Sequence, residues 1–168
     1  MTHAMDTIPM NMTSASSAPV AAIAQAALSA ESARILVQPI YDALTASAPD
    51  LVRGRLEAAT TSDWQNCATE HVCETRETAI ERWSARIERV PDFRFVMREV
   101  LVSGNRIIVR GEAIGTPAVP FMGVSPSGRS FRLMTIDIHE IVDGKVHRTY
   151  HLEDWARALR QLRGEEAL

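Results

Sequence analysis

The hydrophobic period of the chain changes once, near residue 90, and that change decides the class of fold. Before it, apolar residues recur at helical spacing. Ile35, Leu36, Ile40, Tyr41 and Leu44 follow this pattern in one segment, and Ile80, Trp83 and Ile87 follow it at i, i+3 and i+7 in another. From Phe93 onward the period drops to two. Segments 93–102, 106–114, 130–142 and 145–152 read as strands, with Gly104-Asn105 and Asp143-Gly144 as the turns of two hairpins. Helices first and antiparallel strands afterwards give an α+β fold whose helices cover one face of the sheet.

Local signals refine this reading. Ser29 or Ser32 caps the first helix, and Pro39 kinks it near Ile35 or marks a new first turn. A second helix is expected over 49–59 and a third over 76–89, stopped by Val90, Pro91 and Asp92. Between them, 61–75 reads as polar and irregular, carrying Trp64, Asn66 and both cysteines. A Gly/Pro-rich loop is expected over 115–128, and a closing helix over 155–162 with Gly164 as its stop.

Composition narrows the function. The 168 residues suffice for one domain, and no run approaches the roughly 18 consecutive apolar residues of a membrane helix. A net charge of −3, with arginines interspersed among acids, gives no electrostatic reason to bind nucleic acid. No lysine or arginine precedes Arg34, so residues 1–28 are expected to form a flexible extension and 29–164 the working domain. Cytoplasmic residence is expected. The alternative is export, since PVAAIAQAALSA ends in a small-residue pattern like a cleavage site, although positive charge is missing before it. Cys67, His71 and Cys73 match no standard zinc spacing; ordinary loop thiols are expected, the alternatives being a metal site or a disulfide. No glycine-rich phosphate fingerprint and no nucleophile elbow is present, so neither metal nor organic cofactor is expected.

The last hairpin carries the chemistry. Alternation puts Leu133, Thr135, Asp137, His139 and Ile141 on one face of its first strand, and Met134, Ile136 and Ile138 on the other. A two-residue turn at Asp143-Gly144 would set Asp137 opposite Tyr150. A three-residue turn moves the register by one, and His147, Thr149 and His151 then share the face of Asp137 and His139. In that register Asp137 and His151 lie diagonally, roughly 7 to 8 Å apart. An aspartate and a histidine converging on a sheet face form an acid–base pair, because imidazole titrates near neutrality and a carboxylate orients it. The bland alternative is a polar pair on a solvated face.

Three segments then resemble one family. FMGVSPSGRSF (121–131), DIHEIVDGKV (137–146) and HLEDWARALRQL (151–162) are similar to the SnoaL-like polyketide cyclases, also grouped with ester cyclases, of the nuclear transport factor 2-like superfamily. Gly123, Pro126, Gly128, Arg129, Asp143, Gly144, Lys145, Asp154, Gln161 and Leu162 carry the resemblance, with DWQN at 63–66 and PDF at 91–93 upstream. It implies a cone-shaped half-barrel with a mainly antiparallel sheet around N-terminal helices. It also implies a cofactor-free homodimer or homotetramer formed through the sheet, with an apolar pocket for a small polyketide-like carbonyl compound.

In such cyclases an acid/base residue on the last strand takes a proton from an activated carbon, and a histidine on the neighbouring strand assists at an oxygen. Aligned through DGKV, the acid/base aspartate position falls on His151 and the histidine position on Asp137, so the two residue types are exchanged. The resemblance implies His151 as the base and Asp137 as its orienter or the acid. It places Tyr41, Trp64, Asn66 and Phe121 in the pocket, with Trp83 and His139 beside them. For the aromatics the plain alternative is core packing. For Asn66, a substrate oxygen would satisfy the buried amide. Aldol-type ring closure is the leading reaction; a non-catalytic binding protein, or an isomerase or dehydratase on the same scaffold, are the alternatives. Asp143, Gly144 and Lys145 are turn chemistry.

Overall fold

A computed structural model of the protein describes residues 28–168. The expected extension at 1–28, with its export pattern, lies outside the described residues except for Leu28, which packs against the core. The elements are α1 (Ala30–Leu44), α2 (Pro49–Ala59), β1 (Thr60–Cys67), β2 (Cys73–Thr75), α3 (Arg76–Arg89), β3 (Arg94–Ser103), β4 (Arg106–Gly115), β5 (Phe131–Val142), β6 (Lys145–Glu153) and α4 (Trp155–Arg163). Of the two candidate caps Ser29 is used: its hydroxyl accepts the Ser32 amide at 3.0 Å, and α1 continues through Pro39. Pro49 opens α2 where a missing N–H costs nothing. Thr75 caps α3, Asp154 caps α4, and Gly164 stops α4 at φ 79°.

Among the described residues six strands form one curved, unclosed sheet in the order β2-β1-β6-β5-β4-β3, antiparallel throughout except for the parallel β1–β6 pair. Helices α1 to α3 fill its concave side. Val37, Ile40, Tyr41, Val52, Leu56, Ile80 and Trp83 meet Trp64, Ile107, Val109 and Val146 in the main core. A second cluster around Phe131 joins Val90, Ala113 and Leu133 to Ala158 and Leu162 of α4. Among the described residues no helix is long and apolar enough to cross a membrane.

Two expectations are corrected here. Segment 61–75 is not an irregular loop but holds β1 and β2; its polar composition hides a strand whose pairing with β6 comes from across the fold. The cysteines are not free thiols. Cys67 and Cys73 face each other across the β1–β2 pair and form a disulfide, which also removes both sulfurs as metal ligands.

A glycine ties the sheet to the helices. A Cβ on Gly111 would lie 2.1 Å from Phe95 Cζ, so only glycine lets the Phe95 ring settle there. Phe95 in turn stacks on Tyr41 with centroids 4.4 Å apart.

Candidate active site

Between the helices and the concave sheet face lies a cavity of about 290 Å3. Aromatic and aliphatic side chains make most of its wall: Ile40, Leu44, Trp64, Trp83, Phe93, Phe121, Phe131 and Trp155. All eight residues singled out in the sequence line it: Asp137, His139 and His151 from the last hairpin, together with Tyr41, Trp64, Asn66, Trp83 and Phe121. Tyr41, Trp64 and Trp83 are at once core and cavity wall.

The register of the β5–β6 hairpin differs from both sequence alternatives. Val142 pairs with Lys145, so Asp143-Gly144 is a two-residue turn, and both turn residues have positive φ (49° and 74°). A bulge then places one extra residue, His147, between the pairs Ile141–Val146 and Glu140–Arg148. The shift sets Asp137 directly opposite His151, not diagonal to it. The bulge also takes His147 out of the group: its Nδ1 lies 3.3 Å from the Thr61 hydroxyl and 3.4 Å from Asp63. Thr149 and His151 keep the expected face.

Hydrogen-bond direction in the buried polar chain follows from its acceptor-only end, the Asp137 carboxylate. Tyr41 spends its single hydroxyl hydrogen on Asp137 Oδ2 at 2.9 Å, so its oxygen accepts from His139 Nε2–H at 2.9 Å. His139 Nδ1 is then bare and accepts from the Thr149 hydroxyl at 2.9 Å, whose oxygen accepts Trp64 Nε1–H at 3.0 Å. A neutral His139 satisfies every member, and burial lowers its pKa to about 4. Burial and the Asp137 charge hold Tyr41 well above the usual phenol range, so it stays a donor.

On the other side of Asp137, Oδ1 lies 2.5 Å from His151 Nδ1, and His151 Nε2 lies 3.1 Å from Glu153 Oε2. Trp155 Nε1–H donates to that same Glu153 oxygen at 2.7 Å. Burial alone would lower the His151 pKa, but hydrogen bonds and charge from Asp137 and Glu153 outweigh it and raise the value to about 10. At neutral pH His151 is therefore an imidazolium between two carboxylates, able to give a proton or to stabilise a nearby oxyanion.

Glu153 is the residue that sequence reasoning missed. The signal was present, because alternation along β6 puts Thr149, His151 and Glu153 on one face. Asn66 lines the cavity, and its Nδ2 donates to Glu74 Oε1 at 2.7 Å.

The fold has many solved counterparts. IdmH from Streptomyces antibioticus, a candidate polyketide cyclase, superposes with a TM-score of 0.66 at 21% identity, over 78% of this chain and 98% of that one. A candidate SnoaL-like polyketide cyclase from Jannaschia sp. CCS1 gives 0.66 at 22% identity, over 77% and 90%. TsrD from Streptomyces laurentii gives 0.65 at 25% identity, over 80% and 97%. No significant match is found among curated proteins. The family model for SnoaL-like polyketide cyclases matches residues 40–162, a span from Ile40 on α1 to Leu162 on α4 that takes in every cavity residue named above, and the chain belongs to that family.

Proposed function

We propose that the protein catalyses cofactor-independent proton transfer α to a carbonyl on a small apolar compound, of the kind that starts an aldol-type ring closure. The observation that carries this reading is the ring of His151 held between the carboxylates of Asp137 and Glu153 in an aromatic-walled cavity. With its ring protonated, His151 is the acid, not the base. Its charge stabilises the enolate oxygen as the α-proton leaves to Glu153. When the new C–C bond forms, Nε2–H, no longer held by an anionic Glu153, protonates the alkoxide, and the proton on Glu153 then returns to Nε2 and restores both groups. Asp137 is the orienter: its two oxygens already accept Tyr41 and His151. The base is Glu153. Among the described residues both of its protein contacts fall on Oε2, which leaves Oε1 to take the carbon-bound proton.

Deuterium exchange into the methyl group of 2-acetonaphthone in heavy water tests this without knowledge of the natural substrate. Wild type is expected to accelerate the exchange, with Glu153→Gln and His151→Gln each losing at least ~100-fold, the usual worth of a general acid or base. A ketone that binds, quenches tryptophan fluorescence and exchanges at the buffer rate would overturn the reading in favour of a binding protein.

The same reading includes a homodimer formed through the outer face of the sheet. Its support is an apolar row across four strands, Tyr150–Ile138–Ile108–Leu101, continued by Ile136, Leu152 and Met134. Leu152 is 67% and Met134 51% exposed in the single chain.

A further inference from the structure

Helix α3 presents Arg82, Arg86 and Arg89, spaced i, i+4 and i+7, to the cavity. Their circumstances differ. Arg82 is neutralised by Glu74, with Nη2 2.5 Å and Nε 3.0 Å from its two oxygens. Arg86 has no carboxylate partner among the described residues. Its Nη2 donates to the Ala46 carbonyl at 3.1 Å, its Nη1 meets the Val90 carbonyl at 3.5 Å, and its Nε is buried with no acceptor among the described residues. The guanidinium also lies 4.8 Å from the centroid of the Phe93 ring, another cavity residue.

Main-chain carbonyls satisfy some of its N–H groups but do not balance its charge. A guanidinium stays ionised in proteins, so partial burial costs free energy until an anion arrives. Desolvation indeed lowers the Arg86 pKa. Arg89 lines the same region and likewise has no carboxylate partner among the described residues. The hairpin end of the cavity carries the opposite balance, two carboxylates to one imidazolium. An anionic group is attracted to one end and repelled from the other, so charge sets which way a ligand lies.

We propose that Arg86 is a carboxylate-binding subsite, and that the cavity takes an apolar carbonyl compound bearing a carboxylate, its acid group on Arg86 and its reacting carbonyl beside His151. The orientation of the carbonyl rests on the function proposed above; the anion subsite does not. The planar fork of arginine matches a carboxylate, and Phe93 supports the guanidinium from one face. Arg89 adds charge from the next turn of the helix.

Calorimetric titration of the full chain with 2-naphthoate and with methyl 2-naphthoate tests the subsite, since the two probes share a ring system and differ in charge. Wild type is expected to bind the acid ~10-fold or more tightly than the ester, the worth of one partly desolvated charge-assisted contact. Arg86→Gln should abolish that ratio while ester affinity is kept, and Arg86→Lys should retain part of it. Equal affinity of wild type for the two probes would overturn the proposal even if the Arg86 variants fail to fold. A preference that survives in folded Arg86→Gln would overturn it as well. Glu153→Gln separates this proposal from the catalytic one: deuterium exchange should be lost while the acid-to-ester ratio stays at or above that of wild type. Wild type that prefers the acid but exchanges no deuterium would support the subsite and sink only the catalytic reading.

Discussion

Asp137 and His151 stand directly opposite each other on β5 and β6, with 2.5 Å between Oδ1 and Nδ1. The pairing depends on a single extra residue, His147, bulged out of β6. Without that bulge the tight Asp143-Gly144 turn would carry Tyr150 to the aspartate and turn His151 to the outer face, because a one-residue slip inverts every side chain.

The first prediction concerns the charge of His151. Its folded pKa of about 10 lies above the ordinary histidine value, so its contribution to stability is fully present below about pH 6.5 and lost as pH rises through 10. Histidine-selective nitrogen NMR should show the ring doubly protonated at pH 8. Asp137→Asn removes one flanking charge and should bring the titration down by one unit or more, at about 1.4 kcal/mol per unit. A wild-type ring that titrates near 6.5 would refute the arrangement.

The buried neighbour His139 should show the opposite dependence. Its pKa is lowered to about 4, so the unfolded chain takes up a proton near pH 6.5 that the folded chain refuses. Stability is therefore present above about pH 6.5 and declines as pH falls toward 4. Urea midpoints measured across that window should fall in wild type and fall less in His139→Gln. Equal slopes would mean that other groups govern acid unfolding.

Gly111 is linked to the site through two stacked rings. The chain of contact runs from Gly111 to the Phe95 ring, from Phe95 to the stacked Tyr41, and from Tyr41 O–H to Asp137. Gly111→Ala should cost about 1–3 kcal/mol by overpacking and loosen the Tyr41 hydrogen bond. Phe95→Leu in the same chain makes room for the new methyl and should restore part of the stability. If Gly111→Ala leaves both the melting temperature and the histidine titrations unchanged, the coupling through Phe95 does not exist.

Helix α3 was readable from sequence to the residue, and the hairpin strands to within a residue or two, because each buries one face and declares its period. Strand β1 was not. Its sequence, TTSDWQNC, is polar, and it is held by parallel pairing to β6, some 85 residues away in sequence. The candidate site was legible as a set of residue types on one face. The register was not, since a bulge leaves no mark that separates it from a longer turn. Nor was the unpaired state of Arg86, because which arginines find carboxylates is settled by tertiary placement alone.

The outer sheet face supplies the last prediction. The row Tyr150–Ile138–Ile108–Leu101 runs unbroken across β6, β5, β4 and β3, and charged pairs bound it on both sides. On one side Arg106 contacts Glu140 at 2.7 Å; on the other Arg110 contacts Glu99 at 3.0 Å, and beyond it Arg132 contacts Glu112 at 3.1 Å. A twofold axis through the middle of such a face lays apolar row on apolar row, which is what an isologous interface requires. Ile138 lies at the centre, and Ile138→Asp would bury an unpaired charge in each copy without touching the concave core. Sedimentation velocity should show a wild-type dimer at micromolar concentration and a monomer for Ile138→Asp with an unchanged circular dichroism spectrum. A wild type that remains monomeric at high micromolar concentration would mean that this face is covered by something other than a second copy of the chain.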